Sequence, residues 1–124
     1  MLNMAGRQRM LSQRFAKASL LCVLQPGETQ LQHLADMEAA RQAFEKGLAY
    51  LQSLPLSTPD IRRTLESATQ GWQDVLQGAD HVRRPAGRDR LLRLEGLAAA
   101  SESLLDDFEQ LAAQYERSMQ MLMG

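Results

Sequence analysis

A chain of 124 residues is long enough for one domain with a hydrophobic core and too short for two. Hydrophobic residues make up 44% and charged residues 23%, and the net charge of −1 excludes a general attraction to nucleic acid or to a membrane surface. No apolar stretch approaches the ~20 residues of a membrane span, and no signal-peptide pattern is present. Leu, Ala, Gln, Met, Glu and Arg are plentiful, so we predict an all-α protein.

The first predicted helix covers residues 1–24 and ends at the breaker sequence Gln25-Pro26-Gly27. One of its faces is apolar and is assigned to the core: Met4, Leu11, Phe15, Ala18 and Cys22. The other face surrounds a glycine: Leu2, Asn3, Gly6, Arg9, Met10, Gln13, Lys17, Leu20 and Leu24. Because a solvent-facing stripe should not contain several large apolar residues, we expect this second face to contact another protein surface.

The second predicted helix covers residues 28–53, and Arg41 interrupts its apolar stripe of Leu31, Leu34, Met37, Phe44, Leu48 and Leu51. The third has the clearest start, with Ser57 or Thr58 as N-cap and Pro59 at the first helical position. Its stripe is Ile61, Leu65, Ala68, Trp72, Val75, Leu76, Ala79 and Val82. Residues 83–87 end this helix.

The fourth predicted helix is the longest and covers residues 88–123. Its core row is Leu94, Leu97, Ser101, Leu104, Phe108, Leu111 and Tyr115, continued by Leu122. An adjacent row at seven-residue spacing is Leu91, Ala98, Leu105, Ala112 and Met119, so this helix should contact more than one neighbour. Four helices with short connections predict a single domain over residues 1–124, folded as an antiparallel up-down-up-down four-helix bundle.

Catalytic motifs are missing from the sequence, so we expect neither an enzyme nor a cofactor. His33 and His81 lie on different predicted helices, and neither has further metal ligands at a recognisable spacing. There is no Cys-x-x-Cys, no Glu-x-x-His and no Gly-rich phosphate loop. The single cysteine, Cys22, is interpreted as a small core residue.

One side of the first helix nevertheless has the chemistry of an anion site. Asn3, Gly6, Arg9 and Gln13 follow a spacing of three, three and four residues and therefore stack along that side. A guanidinium presents a planar array of donors suited to flat oxyanions, and a glycine lets a small ligand reach the backbone. In a two-fold dimer, two Arg9 side chains would converge on one anion. The alternative is that Arg9 pairs with a glutamate of another helix and Gly6 is only a packing notch.

The segment Asn-x-Ala-Gly-Arg-Gln-Arg-Met-Leu-Ser-Gln-Arg, residues 3–14, resembles the signature of the PilJ-type domain. That is the N-terminal sensing domain of type IV pili methyl-accepting chemotaxis transducers, and the segment is more loosely similar to a motif of nitrate/nitrite sensor kinases. The resemblance implies a periplasmic four-helix domain that forms a homodimer through its first and fourth helices, with an anion between the paired first helices. By position it implies Gly6, Arg9 and, less directly, Asn3 as anion-binding residues. Arg7, Gln8, Ser12 and Arg14 also match but point away from Arg9, so they are interpreted as structural.

These observations lead to the hypothesis of a non-enzymatic sensor domain that binds nitrate, or a similar small planar anion such as nitrite, at a homodimer interface and transmits a helix displacement. We expect the chain to be excised from a larger inner-membrane receptor, with the membrane segments outside this sequence. A chain complete as given would instead be cytoplasmic. Two alternatives stay open: a helical interaction and dimerisation scaffold without a small ligand and, more distantly, a metal-containing bundle enzyme.

Overall fold

The computed structural model describes residues 2–25, 27–55, 58–84 and 87–123. Its elements are four α-helices, with a short 3₁₀ helix at Gly87–Asp89 before the last. They are α1 (Leu2–Leu24), α2 (Glu28–Ser53), α3 (Pro59–Arg83) and α4 (Arg90–Met123). No strand occurs in this part of the chain. The protein is therefore all-α, and the predicted boundaries are confirmed to within about two residues, the usual uncertainty of a helix end.

Local signals in the sequence account for the helix ends. Thr58 is the N-cap of α3, where its side-chain oxygen accepts a hydrogen bond from the backbone N–H of Ile61 at 3.2 Å. Pro59 follows at the first helical position, as predicted. The other candidate N-cap, Ser57, lies outside the described residues. Gly27, immediately before α2, has a φ of 114°, a conformation that residues with a Cβ rarely adopt.

Side-chain contacts show that consecutive helices run antiparallel. Between α1 and α2, Gln8 contacts the carbonyl of Phe44, whereas Gln30, near the start of α2, contacts Cys22 near the end of α1. Between α3 and α4, Ser67 bonds to Asp107 and Arg93 bonds to the carbonyl of His81. The same crossed pattern joins α1 to α4 through Arg9–Glu109 and Arg90–Val23, and α2 to α3 through Glu45–Trp72 and Gln52–Thr69. These pairs establish the up-down-up-down bundle.

The four helices share one hydrophobic core, and α1 packs against all three others. Its centre is an aromatic cluster in which Trp72 stacks on Phe44, with ring centroids 4.0 Å apart. Phe15 approaches Trp72 edge-on at 5.1 Å, and Phe108 approaches Phe44 edge-on at 5.5 Å. The apolar face predicted for α1 is confirmed except that Met4 is only half-buried. Trp72 and Cys22 are buried core residues, as predicted.

Two predicted core positions are wrong. Leu31 is 74% exposed, because steps of three residues each turn about 60° short of a full helical turn and carry Leu31 away from the side of Met37. Leu122 is 68% exposed rather than continuing the core row. Arg9 lies beside Glu109, so α4 extends beyond the level of the first described residues of α1. Leu122 therefore has no α1 side chain beside it in the described structure.

Among the described residues, no helix combines the length and the hydropathy that a membrane span requires.

Candidate ligand-binding face of the first helix

The second face of α1 is exposed, as the sequence indicates. Gly6, Met10, Gln13, Lys17 and Leu24 are all exposed, with Met10 at 46% and Leu24 at 57% of the fully accessible surface. Two members of the predicted face differ: Leu20 is half-buried and packs against the core, and Arg9 is half-buried at the edge next to α4. Gly6 therefore lies within the exposed face of α1, whereas Arg9 lies at the edge of that face, next to α4.

Gly6 has open space around it. A Cβ built on this glycine would meet no atom within 4 Å, apart from its chain neighbours and the backbone of its own helix. The packing-notch explanation thus finds no support within the described chain, because nothing there approaches closely enough to require a glycine. A glycine inside an exposed helix lowers helix stability by about 1 kcal/mol relative to alanine. Within the described residues this cost has no compensating contact.

Arg9 forms an ion pair with Glu109 of α4, with Nη2 and Oε1 2.9 Å apart. Their side chains are 42% and 57% exposed, so solvent screens the pair and it contributes at most about 1 kcal/mol. The Nε atom of Arg9 is buried and finds no acceptor among the described residues. The first half of the alternative explanation, an arginine paired with a glutamate of another helix, is thus present in the single chain.

The other proposed ligand residue, Asn3, belongs to α1, but its side chain lies outside the described part of the structure. Its participation stays a prediction. The structure does place Gly6 and Arg9 one turn apart on adjoining parts of the same side of α1, with Gln13 exposed one turn further along.

The remaining motif residues divide into a buried and an exposed pair. Gln8 and Ser12 are fully buried, which fits the structural role predicted for them. The Nε2 of Gln8 donates to the carbonyl oxygen of Phe44 at 2.8 Å, and its Oε1 lies against Gly47 of α2. A Cβ at Gly47 would lie 2.2 Å from that oxygen, so the glycine makes room for the glutamine. Sequence reasoning missed this contact, although a glycine inside the α2 pattern was its one visible signal.

Arg7 and Arg14, the exposed pair, line a groove between α1 and α2 on the side of α1 away from Arg9. This groove has a volume of about 530 Å³, and Lys17 and His33 also border it. His33 contacts the amide oxygen of Gln25 at 2.9 Å, and Asp36 accepts a hydrogen bond from Gln32. In the described ranges no group of three or more His, Cys, Asp or Glu side chains is placed to hold a metal ion.

Three titratable groups away from this face have altered pKa values. Burial raises the pKa of the Asp107 carboxyl, although the hydroxyl of Ser67, which donates to both of its oxygens, acts in the opposite direction. Burial also raises the pKa of the Tyr115 hydroxyl and of the Cys22 thiol. A raised pKa makes this thiol a poor nucleophile, which agrees with its position in the core.

An exposed apolar border on α4 flanks the α1 face. Leu91, Ala98 and Met119 are exposed, while Leu105 and Ala112 are half-buried. The contact between Arg90 Nη2 and the carbonyl oxygen of Val23, at 3.4 Å, places the start of α4 next to the end of α1. The predicted second row of α4 is therefore only partly covered within one chain, and it adjoins the exposed face of α1.

Together these features define a helical-bundle domain with an exposed, mixed polar and apolar face on its first helix. A family model described as "Type IV pili methyl-accepting chemotaxis transducer N-term" (PilJ) matches residues 1–103. Because the match covers most of the chain, the protein belongs to this family, and it is a signal-transducer domain of the chemotaxis type. Comparison with curated proteins and with solved structures found no significant match.

Proposed function

We propose that the domain is the ligand-binding input of a chemotaxis transducer, and that two copies bind one nitrate, or a similar small planar anion, between their first helices. Gly6 would contact the anion through its backbone and Arg9 through its guanidinium, with Asn3 adjacent. The α1 face and the adjoining row of α4 would form the dimer interface. Family membership supports a signal-transducing role, and the exposed face supports the choice of surface.

The observation that carries this proposal is the open space around Gly6. A glycine that weakens its helix and contacts nothing in its own chain is explained if a second backbone or a ligand approaches it closely. Arg9 lies one turn away, and Met10 and Leu24 provide exposed apolar surface on the same helix. An interface of this kind has an apolar surround and a small polar centre, as ligand sites commonly have.

The proposal also includes the place of the domain in a larger protein. We infer a periplasmic position in an inner-membrane receptor, with the membrane segments outside the present sequence. The support is the family description, which names a transducer. Signal transmission would follow if the anion binds one relative position of the two first helices better than another, since a ligand shifts an equilibrium only by its differential affinity.

Nitrate binding should strengthen dimerisation, because one anion shared by two chains links ligand binding to association. The measurement is sedimentation at several protein concentrations with nitrate, nitrite, chloride or sulfate at constant ionic strength, together with titration calorimetry. We expect nitrate to raise the dimer fraction and Tm, and chloride to do neither. If no anion produces heat, a melting shift or association, the ligand-binding proposal is wrong.

Gly6→Ala should stabilise the monomer and weaken its dimerisation. The added methyl group meets nothing within 4 Å, so the free energy of unfolding of the monomer should rise by about 1 kcal/mol. The same methyl group would lie between two first helices, so dimerisation and nitrate affinity should fall at least about tenfold, as expected when a well-packed contact is overfilled.

Gly96→Ala is the matched control. Gly96 is exposed in α4, has equally open surroundings, and lies roughly 140° around the helix from Glu109 and hence from the α1 side. The substitution Gly96→Ala should stabilise the monomer by a similar amount and leave dimerisation unchanged. Equal effects of both substitutions on dimerisation would show that Gly6 is not at an interface.

A second candidate function is a dimerisation or protein-interaction scaffold without a small ligand. The Arg9–Glu109 ion pair favours it, because an arginine already neutralised by a carboxylate does not require an external anion. This candidate predicts a dimer whose dissociation constant is independent of nitrate, so the same sedimentation series distinguishes the two.

A further inference from the structure

The Arg9–Glu109 ion pair also affects how an anion would bind at Arg9. Glu109 lies between Glu102 and Glu116 in a row of exposed carboxylates at seven-residue spacing on α4. Of these three, Glu109 is the one whose carboxylate is within ion-pair distance of a cation among the described residues. The pairing is thus specific to one carboxylate of a row with otherwise similar exposure.

The chemistry of the contact resembles that of an anion complex. A carboxylate and nitrate are both planar, and each offers two coplanar oxygens to the donor fork of a guanidinium. Glu109 reaches Nη2 of Arg9 with one oxygen, while the buried Nε donates to no acceptor in the described chain. Glu109 therefore uses only part of the guanidinium, and a rotation of the half-exposed Arg9 side chain would present Nε and Nη2 together to a free planar anion.

We infer that Glu109 is an intramolecular competitor of the ligand: its carboxylate occupies the anion position on Arg9 until a free planar anion displaces it. This inference rests on the proposed function. Because both side chains are about half exposed, releasing Glu109 to water costs little, and the exchange stays reversible. Glu109 thereby sets the affinity of the site, and a ligand must bind better than a tethered carboxylate.

The exchange also changes how α1 is held. On the exposed side the ion pair joins α1 to α4 near the start of α1, and the Arg90–Val23 contact joins them near its end. These two links are about 20 Å apart along α1. Displacement of Glu109 removes the first link and leaves the second. Movement of α1 relative to α4 would then be largest at the Arg9 end.

Substitution of the three glutamates tests the inference. Glu109→Gln should tighten nitrate binding about two- to thirtyfold, the fold-change that corresponds to losing one exposed ion pair in each of the two chains. Glu102→Gln and Glu116→Gln remove the same charge from the same row and should change affinity by less than about 1.5-fold, because exposed charges at longer range are screened. Calorimetric titration with sodium nitrate at constant ionic strength is the measurement.

A structural readout accompanies the affinities. Nitroxides placed by Arg14→Cys and Gln110→Cys, in a Cys22→Ala background and diluted with unlabelled protein, report the distance between α1 and α4, and Arg14 is exposed on the side of α1 away from Arg9. Ligand-free Glu109→Gln should show the distance distribution of the nitrate-bound wild type, whereas ligand-free Glu116→Gln should match the ligand-free wild type. A merely structural role of Glu109 would not produce that agreement.

The outcomes separate the inference from the proposed function. If the wild type binds nitrate and all three variants bind it equally, Glu109 is no competitor, while the anion site stands. If only Glu109→Gln binds nitrate measurably, Glu109 blocks the site in the wild type, so the competition holds and the proposal that the wild type binds nitrate is overturned. If neither the wild type nor Glu109→Gln binds nitrate, the proposed function is overturned and the inference with it.

Discussion

Arg9→Ala is expected to lower nitrate affinity at least about 100-fold while leaving the fold nearly unchanged. A hydrogen bond to a charged group contributes about 1.5–3 kcal/mol, and a site on a two-fold axis uses Arg9 twice. A loss of about 3–6 kcal/mol corresponds to a hundredfold or larger change in dissociation constant. In the single chain, by contrast, Arg9 contributes one exposed ion pair worth at most about 1 kcal/mol. Calorimetry and thermal melting measure the two effects separately.

Arg14→Ala is the control for charge. Arg14 belongs to the same motif and the same helix, is exposed, and lies roughly 140° around α1 from Arg9. Its removal should change nitrate affinity by less than about twofold, since a screened surface charge acts weakly at a distance. Arg9→Lys keeps the charge but loses the planar donor fork, so it should bind more weakly than the wild type. Retained affinity in Arg9→Ala would place any nitrate site elsewhere.

The helix boundaries and core faces were predictable because their causes are local. A proline at the first helical position of α3, a threonine N-cap and the Pro-Gly pair after α1 act through the backbone of a few neighbouring residues. The periodicity of each helix similarly fixes which side is apolar. Leu31 shows the limit of this reasoning, because a stripe extended by three-residue steps drifts around the helix until it leaves the core.

Contacts between helices were not predictable in the same way, because they depend on the register of one helix against another. Gln8 could be assigned a structural role from its helical angle, but its partner, the carbonyl of Phe44, is 36 residues away. The pairing of Arg9 with Glu109, of all the glutamates in the sequence, likewise required the register of α1 against α4. From the sequence alone, Arg9 could be expected only to pair with an unspecified glutamate of another helix.

The alternative explanation of the α1 face had two parts, an ion pair at Arg9 and close packing at Gly6, and the structure supports only the first. An arginine–glutamate pair is present, whereas no close packing at Gly6 is found among the described residues. An ion pair alone explains Arg9 but leaves the helix-weakening glycine unexplained. An interface that also exchanges Glu109 for a free anion explains both residues. The anion proposal therefore depends on Gly6 and Arg9 jointly, and variants at either residue test it.

Trp72→Ala should have the largest effect on stability, lowering the free energy of unfolding by about 3–5 kcal/mol. Trp72 contacts Phe15 of α1 and Phe44 of α2, and its Nε1 donates to Glu45 at 3.0 Å, so its loss opens a cavity where three helices meet. That is a large share of the 5–15 kcal/mol typical of a whole domain. Urea unfolding followed by far-ultraviolet circular dichroism measures it, because the variant lacks the only tryptophan.

Trp72→Phe provides the comparison, since it keeps an aromatic ring against Phe15 and Phe44 and removes the hydrogen bond to Glu45. Part of the ring area and one hydrogen bond are lost, so we expect a smaller cost of about 1–2 kcal/mol. A cost below about 1 kcal/mol for Trp72→Ala would contradict the aromatic cluster as the centre of the core. Because Phe15 holds α1 through this cluster, Trp72→Ala should also weaken nitrate binding in proportion to the unfolded fraction, whereas Arg9→Ala should weaken it in a fully folded chain.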